Sequence, residues 1–283
     1  MRSERHVKIL LAVVTGVVLI SSIVHADDYP PGIPIHSLDF GLQTMSFDYQ
    51  EPTIDVGISG LMYGLSGNYT YRYKKLMVDA DMELSLGTLE YDGWISDGTT
   101  RSPVKDDSRD YLVGFRGLIG YVYPLNNKSV ITIFTGLGCR YWNNDVEGPG
   151  SYEREIGYLY APFGVKMDFV LSDNWQWGAS IEYDFFLRGQ VISHLSDVNP
   201  GYNDPENDQD TASGYGTRFS LRFSRKLARK HTLTIEPFIR YWDIDKSDTS
   251  IITFYGSPIG MGLEPENETM TYGLRFSFNF QLN

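Results

Sequence analysis

Two groups of side chains in this chain have the types and spacing to do chemistry. His194-Leu195-Ser196 sets an imidazole two residues from a hydroxyl. On an extended segment residues i and i+2 share a face, so the ring can serve as base for a serine nucleophile. Such a ring needs an acid to orient it, and Glu206 or Asp208 downstream offers one. Glu90-Tyr91-Asp92 sets two carboxylates two residues apart near the start of another long loop. The simpler alternative is that His194 is a polar loop residue. Metal and cofactor chemistry is poorly supplied. After residue 26 the histidines are His36, His194 and His231, with no zinc spacing, and no phosphate-binding or dinucleotide glycine motif precedes a helical pattern. No cofactor is implied. The acidic run 203–210 is dense in oxygen ligands but lacks calcium-loop spacing and its glycine.

The elements that must carry these residues begin with an export signal. Arg2, Arg5 and Lys8 precede an apolar run from Ile9 to Ile20, and Val24-His25-Ala26 resembles a small-residue cleavage site. Removing 26 of 283 residues leaves 257, enough for one large β domain. Three bases and one acid leave with the signal, so the net charge of −12 becomes −14, a balance that disfavours nucleic acid as a partner. Cys139 is the only cysteine, so no internal disulfide forms, and no cysteine follows Ala26 to carry a lipid anchor. No later run is long and apolar enough for a transmembrane helix, so any membrane crossing requires a closed sheet. The expected organisation is a signal at 1–26, an extended proline-containing lead-in at 27–37, and one barrel domain over 38–283.

The barrel rests on a period of two. In Tyr272-Gly-Leu274-Arg-Phe276-Ser-Phe278-Asn-Phe280 large apolar residues alternate with Gly273, Arg275, Ser277 and Asn279. The same alternation sets Val78, Ala80, Met82 and Leu84 against Asp79, Asp81 and Glu83, and Phe219, Leu221 and Phe223 against Arg218 and Arg222. It predicts ten strands, near 38–49, 61–73, 76–91, 110–123, 129–142, 155–171, 174–190, 214–227, 231–243 and 269–282. Tight turns alternate with longer segments near 50–60, 92–109, 143–154, 191–213 and 244–268, as in bacterial outer-membrane barrels. Tyr69, Tyr71, Tyr73, Tyr121, Tyr123 and Trp175 suit an interfacial girdle, and Cys139 falls on the lipid side. In the first strand apolar parity changes from Phe40 and Leu42 to Met45, Phe47 and Tyr49, which suggests a bulge.

The inward parity assigns a charge network to the bore. It comprises Asp79, Asp81, Glu83, Asp168, Glu182, Asp184 and Glu236 with Arg72, Arg116, Arg140, Lys166, Arg188, Arg218, Arg222, Arg240 and Arg275. A barrel of about ten strands has little interior beyond what its own side chains fill, so these charges should pair into a plugged stem.

Ten strands and five outer loops, with Glu90-Tyr-Asp92 opening the second loop and His194 in the fourth, resemble the omptin family of outer-membrane proteases in layout. That resemblance implies a water activated between the acid pair and an Asp-x-His pair, although Ile192 stands where the Asp would be. His194-Leu-Ser196 also resembles the His-x-Ser element of outer-membrane lipid A 3-O-deacylases, which implies His194 as base and Ser196 as nucleophile.

The sequence therefore predicts an all-β, closed antiparallel transmembrane β-barrel of about ten strands, porin-like in architecture, with short periplasmic turns and long acidic extracellular loops. It is expected in the outer membrane of a Gram-negative cell, in contact with lipid, lipopolysaccharide and the barrel assembly machinery. Divalent cations at the acidic loops are the sharper alternative to a solvated rim. A non-enzymatic structural or surface-interaction role is expected; a rim hydrolase around His194 and a small selective channel are the alternatives.

Overall fold

A computed structural model describes residues 34–96, 101–228 and 230–282 of the chain. The expected signal, its cleavage site and most of the lead-in lie outside the described residues. Thirteen strands are present among those described: β1 (His36–Glu51), β2 (Val56–Tyr73), β3 (Leu76–Ser96), β4 (Arg101–Asn126), β5 (Ser129–Val146), β6 (Glu153–Val170), β7 (Trp175–Ser193), β8 (Glu206–Gln209), β9 (Gly214–Ala228), β10 (His231–Ile244), β11 (Ser250–Phe254), β12 (Ser257–Gly262) and β13 (Asn267–Leu282). Ten of them, β1 to β7 with β9, β10 and β13, pair antiparallel with their neighbours in the ring. β13 closes on β1 from His36 opposite Leu282 to Gln50 opposite Glu268, so the cylinder has no free edge along that seam.

Alternation places the faces as the period of two requires. Phe40, Leu42, Leu65, Ile133, Phe163 and Ile181 are exposed on the outside, and Asp79, Asp81, Glu83 and Glu182 are buried within. On β4 the outward residues Tyr111 and Tyr121 bracket Val113, Phe115, Gly117 and Ile119 without a charge between them. Ten residues at about 3.4 Å each, tilted about 45°, rise about 24 Å, close to the apolar band of an outer-membrane barrel.

Four departures from the sequence reading stand out. β1 carries no bulge: its register against β2 and β13 runs unbroken. Its apolar parity changes because Phe40 and Leu42 face outward while Met45, Phe47 and Tyr49 fill the bore. The first loop is not long, since β2 begins at Val56 and only a short turn separates it from β1. Most of the segment near 92–109 is not loop either, because β3 and β4 continue pairing to Ser96 opposite Arg101 and carry their ribbon past β2 and β5. Short strands β8, β11 and β12 lie inside segments read as loops. Their four to six residues are too few for periodicity to reveal.

A bulge does occur, on β7. Leu159 faces Arg188 while the next residue, Tyr160, faces Phe186, so Leu187 is extra. An extra residue inverts side-chain parity beyond it. Phe186 points into the bore, and after the bulge Gly189 and Val191 do so instead.

Candidate functional site

That bulge decides where His194 goes. Without it the even residues of β7 would continue inward, and both Arg188 and His194 would face the barrel mouth. With it they turn to the outer side, where Glu155 of β6 also points. His194 Nε2 lies 2.9 Å from Glu155 Oε1, and Nδ1 lies 3.6 Å from Asp204 Oδ2. Tyr141 donates its hydroxyl to the other Glu155 oxygen at 2.7 Å. Ser196 sits in a short 3-10 turn, Leu195–Asp197, and gives both its N–H and its hydroxyl to Asp204, at 2.9 and 3.1 Å.

The arrangement sets an acid beside each ring nitrogen and turns the Ser196 hydroxyl to one of them. Partial burial disfavours the His194 cation, but the hydrogen bond to Glu155 and the charges of Glu155 and Asp204 outweigh it and raise the ring's affinity for its proton. Glu206 is exposed and Asp208 pairs with Arg188 at 3.0 Å, so neither orients the ring. Glu90 and Asp92 are exposed on β3 and pair with Lys105 at 3.7 and 2.6 Å; no hydrogen bond or ion pair among the described residues joins them to His194. Glu155 could have been read from strand parity. Asp204 could not, because its position depends on how 194–213 folds back. Among the described residues no group of three or more metal-ligating side chains converges, in the acidic loops or elsewhere.

The bore holds the larger cluster. Nearest the short turns it opens as a polar vestibule with a cavity of about 170 Å³. There Asp79 accepts from Thr70 and Asn68 at 2.8 and 2.9 Å and faces Lys166 at 3.5 Å, while Asp168 lies between Arg222 and Arg72. Above it the charges interlock across the barrel. Arg116 gives one nitrogen to both oxygens of Glu182 at 2.7 Å and approaches Asp81 at 3.4 Å. Arg218 bonds Asp184 at 2.6 Å, and Arg240 grips both oxygens of Glu83 at 2.5 and 2.8 Å. Arg275 reaches Glu83, Asp81 and Glu236 at 3.3, 3.7 and 4.0 Å and also bonds Gln43. Two-pronged contacts of this kind hold each guanidinium in one orientation.

Seven acids and seven bases take part, so the belt offers little net charge to draw one sign of ion through it. Arg140 and Arg188 were expected in this network and are not in it. Arg188 was turned out by the bulge. Arg140 lies higher, with Phe47, Tyr158 and Trp242 rings 5.5–6.0 Å away and no carboxylate within ion-pair distance among the described residues. Around it an apolar core fills the loop half of the bore: Met45, Phe47, Met62, Trp142, Tyr160, Phe186 and Trp242 among others. The bore is thus polar toward the short turns and apolar toward the loops. Side chains that meet no lipid and no water can be aromatic, and here they are.

No protein-family model matches this chain, and no curated protein matches it either. Solved structures do. The outer membrane protease OmpT from Escherichia coli superposes with a TM-score of 0.60 at 10% identity, over 87% of this chain and 96% of that one. The translocator domain of the autotransporter NalP from Neisseria meningitidis covers 99% of this chain and 96% of its own at 8% identity, with a TM-score of 0.44. The toluene transporter TbuX from Ralstonia pickettii covers 90% and 92% at 10% identity, with a TM-score of 0.38. The chain has the fold of an outer-membrane β-barrel, omptin-like in layout. At these identities the likeness is one of fold.

The mouth of this omptin-like barrel is shut by a clasp between β1, β6 and the segment before β13. Arg154 Nη1 lies 2.8 Å from Glu51 Oε1 and 3.4 Å from Glu264 Oε1, and the Tyr49 hydroxyl lies 2.6 and 3.1 Å from the same two oxygens. Ser247 fastens Glu264 further, accepting its N–H at 2.8 Å and donating to its carbonyl at 2.9 Å. Two carboxylates share one guanidinium here. Burial raises the Glu264 carboxyl and the Glu51 charge adds to it; Arg154 and the Tyr49 hydrogen bond pull the other way, and the net result is pushed up to about 7. The folded value lies above the ordinary 4.5, so the folded state keeps this proton longer than the unfolded chain does. Its contribution is complete below about 4.5 and is lost as pH rises through about 7. The wild type is therefore expected to lose stability across that window relative to Glu264→Gln, by up to a few kcal/mol. Thermal melts of both proteins at matched pH values check this; parallel curves would rule the clasp's protonation out.

Proposed function

We propose that this barrel stands in the outer membrane as a closed, non-enzymatic scaffold that presents its loops for interaction at the cell surface. The observation that carries the reading is the bore. The polar cavity at the short-turn end reaches up into the interlocked ionic belt, and an apolar core and the Glu51–Arg154–Glu264 clasp fill the bore above it. A barrel so filled supplies rigidity rather than a path, and in this architecture function lies on the loops. Its partners in the membrane are lipid and lipopolysaccharide on the outward aromatic and aliphatic face, and the assembly machinery during insertion. The net acidic surface argues against nucleic acid.

The His194 geometry supports the non-enzymatic half of the proposal, because both ring nitrogens face acids and the serine hydroxyl is committed elsewhere. Purified folded protein is expected to hydrolyse neither peptide nor lipid A substrates above the level of His194→Ala. A rate that the substitution abolishes, with folding intact by heat-modifiable gel mobility, overturns the reading in favour of a rim hydrolase.

A further inference from the structure

The β11–β12 hairpin is unlike the rest of the surface. From Thr249 to Leu263 no residue is charged, although the loops around it are acidic. Tyr255 and Gly256, with φ of 47° and 78°, make a two-residue turn whose left-handed backbone matches strand twist. One face of the hairpin is packed: Phe254 lies against Tyr202 with ring centroids 5.0 Å apart. The other is bare. Ile251 pairs across the strands with Met261, and Leu263 follows Met261 at i+2 on the same side, while Ile259 is the extra residue of a bulge between Pro258 and Gly260. These four and Tyr255 at the tip are 44–79% exposed. Segments beyond the membrane band have no lipid to cover such a patch, and contiguous apolar surface of this kind marks an interaction site.

The edges of the hairpin are also unequal. β11 is covered on its outer side by 201–203: Tyr255 donates to the Gly201 carbonyl at 2.7 Å, and Asn203 donates to the Thr253 carbonyl at 3.3 Å. β12 pairs with β11 alone among the described strands, and every residue from Ser257 to Met261 is exposed. Proteins usually blunt such an edge with charge; this one carries none, and Pro258 and the bulge at Ile259 interrupt it only locally. The loop segments that flank the hairpin and pack on it carry the exposed acids Asp204, Glu206, Asp210, Asp248 and Glu266 against the exposed bases Arg188 and Lys246.

We infer that β12 is a docking edge for an extended segment of another protein, apolar at alternate positions and flanked by basic residues. Backbone bonds to the open edge would supply affinity, side chains on the Ile251–Met261 face would supply selection, and the acidic surround would favour Lys or Arg at the segment's ends. A second copy fits poorly, since it brings the same acids against each other. The inference rests on the surface-interaction reading above and names the chemistry of the partner.

The test uses the full barrel in lipid nanodiscs and a fluorescent synthetic peptide of alternating valine and threonine with lysines at both ends. Saturable binding is expected, weakened at least tenfold by glutamates in place of the lysines, by a proline at the peptide's centre, and by the double substitution Ile259→Asp, Met261→Asp. Because these side chains are exposed, the doubly substituted barrel should keep its melting temperature. No saturable binding, or equal binding by the variant, overturns the inference. So does hairpin-dependent self-association, which assigns the face to a second copy, or hairpin-dependent binding to zwitterionic vesicles, which assigns it to lipid. Hydrolysis or conductance by the barrel would sink the closed-scaffold reading without changing these binding results.

Discussion

Arg116→Met is expected to destabilise the folded barrel by about 3–5 kcal/mol. The substitution keeps much of the side-chain volume and removes the charge, so the loss is electrostatic. Glu182 then loses the nitrogen that contacts both its oxygens at 2.7 Å, and Asp81 loses a cation at 3.4 Å. Arg218 stays 3.3 Å from Glu182 but is already engaged by Asp184 at 2.6 Å, so it cannot fully replace the missing guanidinium. A buried carboxylate deprived of its partner costs far more than the pair contributed, because its desolvation is no longer compensated. Denaturant titration of the protein folded in vesicles measures the effect. The companion variant Arg116→Met, Glu182→Leu should recover much of the loss, since it removes the stranded charge. A single variant within 1 kcal/mol of wild type would mean that water, rather than protein, solvates this belt.

Trp142→Ala should cost about the same, 3–5 kcal/mol, for a different reason. The indole is 1% exposed in the loop half of the bore, with its ring 5.0 and 4.8 Å from those of Phe47 and Tyr49. Its Nε1 donates to Asp110 at 2.7 Å, so alanine leaves both a void and a weakened acceptor. Trp142→Phe should retain much of the packing and lose chiefly the hydrogen bond, for a penalty of about 1–2 kcal/mol. The spread between the two variants separates packing from polarity. Near-equal costs would show that Asp110 matters and the aromatic core does not.

The barrel was legible because its signal is long and redundant. Ten strands repeat one period, and a strand such as 269–282 leaves no choice of face when Arg275 and Asn279 alternate with Phe276, Phe278 and Phe280. The acids and bases of the belt could be assigned to the bore by parity alone for the same reason. Parity failed where one residue broke it. The extra Leu187 sends Arg188 outward and carries His194 to Glu155, and nothing in the local sequence announces the bulge. It also misled where a rule about polarity was applied to a closed space. Met45, Phe47 and Tyr49 looked like a register change because the inside was expected to be wet, whereas a narrow bore can be packed dry by aromatics. The rim site was the least readable part. Asp204, Ser196 and His194 meet only because residues 194–213 fold back to pair β8 with β7, and the β11–β12 hairpin packs on that fold through Tyr202 and Phe254.

Single-channel recording in planar bilayers tests the closed bore most directly. Wild-type protein, inserted and shown to be folded, is expected to give no stable open level in either polarity between pH 5 and 6, where the Glu264 carboxyl of the clasp keeps its proton. A steady conductance of the size of an open general porin, present in the wild type under those conditions, would contradict the filled barrel and with it the scaffold reading.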